Sequence, residues 1–354
     1  MPVTGPLRIA VLTSHGIGDV VCAKPLVDAL RQAHPDARLT CILKSPAESA
    51  VFAEPGLVDE FMYIDTSSGV SPLTMLRLVA RIARARFDLF VIGTDLAPVK
   101  APVLAFLSRA GIRVGEDWSR AGRLLTHRVP RDMAEHKVDS NARIGAAIGL
   151  SVTRAPRLRF TDAEIADADA LLADHGFVAA RPIVAIHPGS GPQAPHKRWP
   201  RDRYVSYGAS LPRDVDVLLV GGPAEREDAA FIAEKLTALR DGAGHVGSVT
   251  GRLSVRATAA VLSRCRVVVG GDSGILHLAR AAGARTVSLF GPTRPERCSP
   301  AEGDEIVRLS LPCGPCYDRT PLGCGNPICM TGIEPVSVLL ATERVLSPRA
   351  SRAQ

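Results

Sequence analysis

Aromatic residues make up only 4% of this sequence, although 46% of it is hydrophobic. An interior of Ala, Val, Leu and Ile with few large rings suits parallel strands alternating with helices, so an α/β architecture is expected before any motif is read. Long apolar runs are missing as well: no stretch reaches the roughly 18 uninterrupted apolar residues of a membrane-spanning helix. The early apolar segment LRIAVL is strand-length and runs into a glycine-containing turn. That pattern does not fit a secretory signal, and a cytoplasmic location is expected. Low-complexity segments and short tandem repeats are absent too. Lys and Arg outnumber Asp and Glu, for a net charge of +7, but they do not gather in blocks interleaved with aromatics, which argues against nucleic acid. The excess is spread over Arg77, Arg81, Arg84 and Arg86 on one expected helix and Arg349 and Arg352 near the end. Two readings fit it: an ordinary solvated basic surface, or an anionic partner such as a phosphorylated small molecule or a membrane face.

A chain of 354 residues exceeds the usual size of one domain, and two are expected. The first half alternates strand and helix: LRIAVLT, then GDVVCAKPLVDALRQAH, then ARLTCILK, and later SPLTMLRLVARIARAR before FDLFVIG. A second series begins after RAPRLRF. There TDAEIADADALLADHG opens with Thr161 and Glu164 at capping-box spacing and closes on Gly176. Strands PIVAIHPG, VDVLLVGG, RVVVGG and TVSLFGPT follow, with helices between them. Strands separated by helices of this length imply right-handed crossovers and parallel sheets. The expected layout is a domain over 1–155, a second over 156–332, and a terminal helix and tail over 333–354. In such sheets ligands sit beyond the carboxyl ends of the strands, so the strand-to-helix loops are where chemistry is sought.

The loop SHGIGDVV has Gly16 and Gly18 but Val21 in place of the third glycine of G-x-G-x-x-G, so the dinucleotide fingerprint fails. It sets Asp19 at a helix start, where a carboxylate either caps the helix or serves as a base. HPGSGPQAPHKRWP brings Ser190 and Lys197 together in a glycine-rich loop, either a phosphate site or a surface loop whose Trp199 packs on a helix. GGPAEREDAA places Glu225, Glu227 and Asp228 in a first helical turn, where the helix dipole explains acids and a sugar-hydroxyl acceptor is the other reading. VVVGGDSGILHLARAAG turns through Gly270 and Gly271 into Asp272, Ser273 and Gly274, with His277 one turn on. This is a capped helix whose free amides make a ready anion site. Finally Cys313, Cys316, Cys324 and Cys329 crowd into CGPCYDRTPLGCGNPICM. A structural zinc leads on spacing, with disulfides and plain reduced cysteines as alternatives.

No one of these loops decides the matter, but GIGDVVCAKPLVDALRQAHPDARLTCIL, IHPGSGPQAPHKRWP, GGPAERE, GGDSGILHLARAAGARTVSLFGPT and the terminal CMTGIEPVSVL occur in one order. In that order and spacing, over about residues 7–346, the chain resembles the heptosyltransferases, the family-nine glycosyltransferases. The resemblance implies a glycosyltransferase B fold, two doubly wound Rossmann-like domains facing a cleft, with the terminal helix crossing back to the first domain. It implies inverting, metal-independent transfer without a cofactor, usually of heptose from ADP-heptose to the lipopolysaccharide core. The partners would be a nucleotide sugar and an anionic lipid-linked or core oligosaccharide acceptor, with peripheral contact to the inner membrane. By the resemblance Asp19 is the general base, Gly16, Gly18 and Lys24 line the acceptor side, and Lys197 and Ser190 hold the donor phosphates. Glu225 meets the nucleoside, while Asp272, Ser273, Gly274 and His277 surround the nucleotide sugar. Ser273 stands where the family usually has Thr, Lys24 adds a charge, and the phosphate loop is extended. Three alternatives stand beside this reading: a member using another sugar or acceptor, a sugar epimerase or dehydrogenase, and a zinc-bearing basic binding protein without catalysis.

Overall fold

Strand runs such as LFVI, IVAIH and VVVGG are buried at every residue. Such runs need cover on both faces, which a parallel sheet between helical layers supplies. In the computed structural model, which describes residues 6–13, 16–64, 72–191, 194–299, 304–316 and 324–347, they form two sheets. The first contains β1 (Arg8–Leu12), β2 (Arg38–Leu43), β3 (Glu60–Tyr63), β4 (Leu89–Ile92), β5 (Ile112–Asp117) and β6 (His127–Pro130). The second contains β7 (Ile183–His187), β8 (Asp216–Leu219), β9 (Val246–Ser248), β10 (Val267–Gly271), β11 (Arg285–Phe290) and β12 (Glu305–Arg308). Their orders are β3-β2-β1-β4-β5-β6 and β12-β11-β10-β7-β8-β9. The paired strands are parallel, with Ile9 opposite both Leu39 and Leu89, and Val268 opposite both Ala185 and Thr286. The chain divides into units Met1–Leu158 and Arg159–Gln354, three residues beyond the expected boundary at 155.

Each sheet reverses its winding once, between β1 and β4 in the first unit and between β7 and β10 in the second. At such a switch point neighbouring strand-to-helix loops diverge and leave a crevice. The loops flanking the two reversals are those that hold Asp19 and Asp95, and Lys197 and Asp272.

The helix Asp162–Asp174 carries the expected capping box: Thr161 accepts from the Glu164 backbone N–H, and Glu164 accepts in return from that of Thr161. Trp199 is 2% exposed. Its ring meets Tyr204 edge-on at 4.7 Å, and its Nε1 donates to the Ile333 carbonyl at 3.1 Å, so the packing reading of this residue holds. The helix Pro335–Leu346, which the resemblance would send back to the first domain, packs Val338, Ala341 and Val345 into the second unit's core beside Val184 and Leu289. Its apolar stripe is spent there, and the Arg285 guanidinium ties its end by donating to the Val345 carbonyl at 2.9 Å. The residues after 347, Arg349 and Arg352 among them, lie outside the described residues.

Candidate functional site

In the first unit Gly16 precedes the helix Ile17–Ala33 with φ 137°, a backbone conformation that favours glycine. Gly18 and Asp19 follow in the first turn. Gly16 has no side chain with which to cap the helix, and the Asp19 carboxylate stands in its first turn. That carboxylate accepts from Lys137 Nζ at 2.5 Å, and Lys137 lies 3.4 Å from Asp95 Oδ2. Asp95 Oδ1 takes the Arg131 guanidinium at 2.6 Å, and Arg131 stacks over the Trp118 ring at 3.6 Å. Charges thus alternate along Asp19, Lys137, Asp95 and Arg131.

The chain is held from beneath. Asp95 has φ 62°, a strained setting for a residue other than glycine. Its N–H donates to Glu116 Oε2 at 2.9 Å, and Thr94 Oγ1 donates to Glu116 Oε1 at 2.9 Å. Asn141 accepts from the Thr94 N–H and donates to the carbonyls of Cys22 and Lys137. Carboxyl ends of β4 and β5 and two helices are fastened together around Asp19. Glu48 lies close by; burial pushes its carboxyl up, the Lys44 N–H opposes that, and the Asp19 charge adds to the rise. Sequence reasoning missed Lys137, Asp95 and Arg131, since none lies in a motif.

Lys24 corrects an expectation. It is 1% exposed and sealed between Asp28 Oδ1 at 2.7 Å and Glu54 Oε1 at 3.0 Å. A cation held on two sides inside the unit is committed to a structural ion pair rather than presented at the loop surface.

In the second unit the glycine pair of β10 permits close approach. A Cβ on Gly270 would stand 2.8 Å from the His187 carbonyl, and one on Gly271 would stand 2.9 Å from that of Lys197. Without side chains there, the loop after β7 lies against β10, and Lys197 Nζ reaches Asp272 Oδ2 at 2.9 Å. Burial raises the Asp272 carboxyl, but the Lys197 charge and hydrogen bond, with His277 and Thr293, carry it below the ordinary carboxylate range. Ser273 begins the helix Gly274–Ala281 without a side-chain cap bond. Its Oγ is buried and unpartnered within the described residues, beside free N–H groups of the helix end. That is a donor-rich position suited to an anion. Buried His187 has its pKa lowered, with burial the main cause.

Two other second-unit residues have local duties. Ser190 Oγ donates to the Ala194 carbonyl at 2.6 Å, so its proton braces the loop. Glu225 is 6% exposed, accepts from the Gly222 N–H at 2.8 Å, and fills the space over Gly189, where a Cβ would meet it at 2.5 Å.

The four cysteines draw together around Cys329, whose thiol is raised by burial and, to a lesser degree, by Cys324, Cys316 and Cys313. Among the described residues no three His, Cys, Asp or Glu side chains are arranged to hold a metal ion. Cys329 is turned into the core with Met330 and the adjacent Gly291, whereas Cys313 and Cys324 face outward. Residues 317–323 of that segment lie outside the described residues.

A family model for glycosyltransferase family 9 (heptosyltransferase) matches residues 75–323. Lipooligosaccharide heptosyltransferase 2 of Haemophilus ducreyi is 21% identical over 317 residues, covering 85% of this chain and 88% of that protein. The enzyme of the same name from Campylobacter jejuni is 26% identical over 168 residues. That match covers 46% of this chain and 51% of its relative, so the chain spans about half the length of the first curated relatives it matches. Among solved structures, a family-9 glycosyl transferase from Veillonella parvula superposes with a TM-score of 0.77 at 20% identity, covering 97% of each chain. ADP-heptose LPS heptosyltransferase II from E. coli gives 0.74 at 19%, covering 96% of this chain and 98% of that one. The two doubly wound parallel sheets are therefore those of the glycosyltransferase B fold, and by its family match the chain belongs to glycosyltransferase family 9, the heptosyltransferases.

Proposed function

We propose that this protein transfers heptose from ADP-heptose to the lipopolysaccharide core or a related glycan, with inversion and without a catalytic metal. Asp19 supports the reading most directly: a carboxylate at the switch point of the first sheet, held by Lys137. In the proposed reaction the acceptor hydroxyl gives its proton to Asp19 as its oxygen bonds to the anomeric carbon. The bond from that carbon to the diphosphate breaks, and ADP leaves with the electron pair. Lys197, the Ser273 hydroxyl and the N–H groups opening Gly274–Ala281 take up the charge that builds on the leaving group. Asp272 does not face the phosphates in this scheme; it holds Lys197 in place. Gly16 and Gly18 leave the acceptor room beside Asp19, Ser190 shapes the phosphate loop, and Glu225 and His277 border the nucleotide. The acceptor is an anionic, lipid-linked or core oligosaccharide, and the work is done in the cytoplasm. Among the described residues no helix is long and apolar enough to cross a membrane.

The test is Asp19→Asn, assayed with ADP-heptose and a core acceptor alongside ADP binding by calorimetry. Loss of a general base lowers kcat by about 10²–10⁴ with donor affinity nearly unchanged. Weakened ADP binding with normal turnover would refute the assignment. A panel of ADP-, GDP- and UDP-sugars in a thermal-shift assay checks the donor: stabilisation by another nucleotide alone would replace heptose from ADP-heptose in this reading.

A further inference from the structure

Buried threonine hydroxyls elsewhere in this chain return their proton to a nearby carbonyl. Thr258 Oγ1 donates to Ser254 at 2.8 Å, and Thr342 Oγ1 donates to Val338 at 2.9 Å. Two buried hydroxyls have no partner among the described residues, those of Ser273 and Thr250, while Thr293 faces Asp272, whose carboxyl it helps to lower. Ser273 and Thr250 each stand two residues past a strand of the second sheet, β10 and β9. Thr250 is 5% exposed. A hydroxyl shut away from water without a partner destabilises the fold, and a ligand that completes it offsets the loss.

The loops at the carboxyl ends run together from one of these hydroxyls to the other. In the sheet β10 lies beside β7, then come β8 and β9. A Cβ on Gly271 would stand 3.9 Å from the Gly189 carbonyl, and one on Gly189 would strike Glu225 at 2.5 Å. A Cβ on Gly221 would stand 3.0 Å from Glu225 Cβ and 3.3 Å from Thr250 Cγ2. Each loop therefore meets the next, and together they make a glycine-lined floor three strand spacings, roughly 14 Å, across. On the other side of β10 the space beside Gly291 is taken by Met330 and Cys329. A nucleoside diphosphate held by its phosphates at Ser273 thus lays its base across β7 and β8 toward Thr250.

We propose that Thr250 reads the base of the donor. Its hydroxyl accepts a hydrogen bond from the 6-amino group of adenine and donates to a neighbouring ring nitrogen. Guanine presents only acceptors at the same edge, so there the hydroxyl can donate but not accept. The inference rests on the reading of the donor as ADP-linked and extends it by naming the residue that selects the base. Glu225 does not supply that contact, being engaged by the Gly222 N–H at 2.8 Å.

Calorimetry on the full chain compares ADP with purine riboside 5′-diphosphate, which lacks the 6-amino group. The wild type is expected to bind ADP about ten-fold more tightly than the analogue. Thr250→Val keeps the shape and removes the hydroxyl, so ADP affinity falls about ten-fold and the two ligands bind alike. Its Tm without ligand holds or rises, because an unpaired buried hydroxyl is gone. Thr250→Ser retains the hydroxyl and with it the preference for ADP. A wild type that binds both ligands alike overturns the proposal, as does ADP binding of wild-type strength in Thr250→Val. A preference lost in Thr250→Ser as well assigns the effect to packing and overturns it too. Stabilisation by ADP-sugars in the thermal-shift panel tests the donor itself, whereas the contrast between these two ligands tests Thr250 alone, so the two failures are told apart.

Discussion

Lys197→Met tests the centre of the second unit. The variant leaves Asp272 buried without the ammonium 2.9 Å from its carboxylate. Both partners are well enclosed, with side chains 14% and 11% exposed, so solvent does little to replace the lost cation. Breaking a buried pair by removing one member costs about 3–5 kcal/mol, because a desolvated charge stays behind. Adding Asp272→Asn removes that charge and should restore most of the loss. The pH dependence has a definite sign. In the wild type the carboxyl is held below its ordinary value, so the pair contributes stability above the unfolded pKa of about 4 and loses it as pH falls through the folded one. In Lys197→Met, burial dominates and raises the carboxyl. The penalty is therefore largest near neutrality and shrinks in acid, as Asp272 takes up a proton. Urea unfolding of the full chain is the assay, in a Trp118→Phe background. Of the two tryptophans, that leaves Trp199, buried in the second unit's core, as the reporter. A penalty below about 1 kcal/mol, or one equal at pH 7 and pH 4.5, would show that Lys197 does not neutralise Asp272.

Further outcomes follow from other contacts. Lys24→Met should destabilise by about 3–5 kcal/mol by removing the cation between Asp28 and Glu54, with acceptor KM unmoved; a stable variant with a raised KM would return Lys24 to the acceptor side. Glu164, held at about 2 chiefly by hydrogen bonds from Arg256, against burial and with help from Thr161, contributes stability above its unfolded value that disappears as pH drops through the folded one. Because the pair is partly open to solvent, with the Glu164 side chain 30% exposed, Glu164→Gln should cost only about 0.5–1 kcal/mol at pH 7 and almost nothing near pH 2, read by thermal unfolding. Gly271→Ala puts a methyl 2.9 Å from the Lys197 carbonyl, for an expected loss of about 1–3 kcal/mol and weaker ADP binding. Gly191→Ala, at φ 79° in open space, should cost about 1 kcal/mol with ADP binding retained.

The strands buried throughout, β4, β7 and β10, were legible in the sequence because full burial leaves an unmistakable apolar run, whereas the interior β5, IRVGED, carries charges at both ends and was not read. The edge strands β6, β9 and β12 were not, since a half-solvated strand as short as VGS or EIVR carries too little pattern. Capping at Thr161 was legible for a related reason: both halves of the motif sit within one helical turn.

By itself the sequence determined two series of alternating strands and helices, and which strand-to-helix turns carry Asp19, Lys197 and Asp272. Those are local properties, written within a few residues of each turn. Tertiary structure alone decided what each side chain meets: Lys137 comes to Asp19 from 118 residues away, Lys197 reaches Asp272 across 75, and Lys24 is withdrawn into a buried triad. Ion pairs form over a few ångströms between separate crossovers, and hydrophobic periodicity places a residue on a face of its own element without specifying the partner that another crossover brings to it.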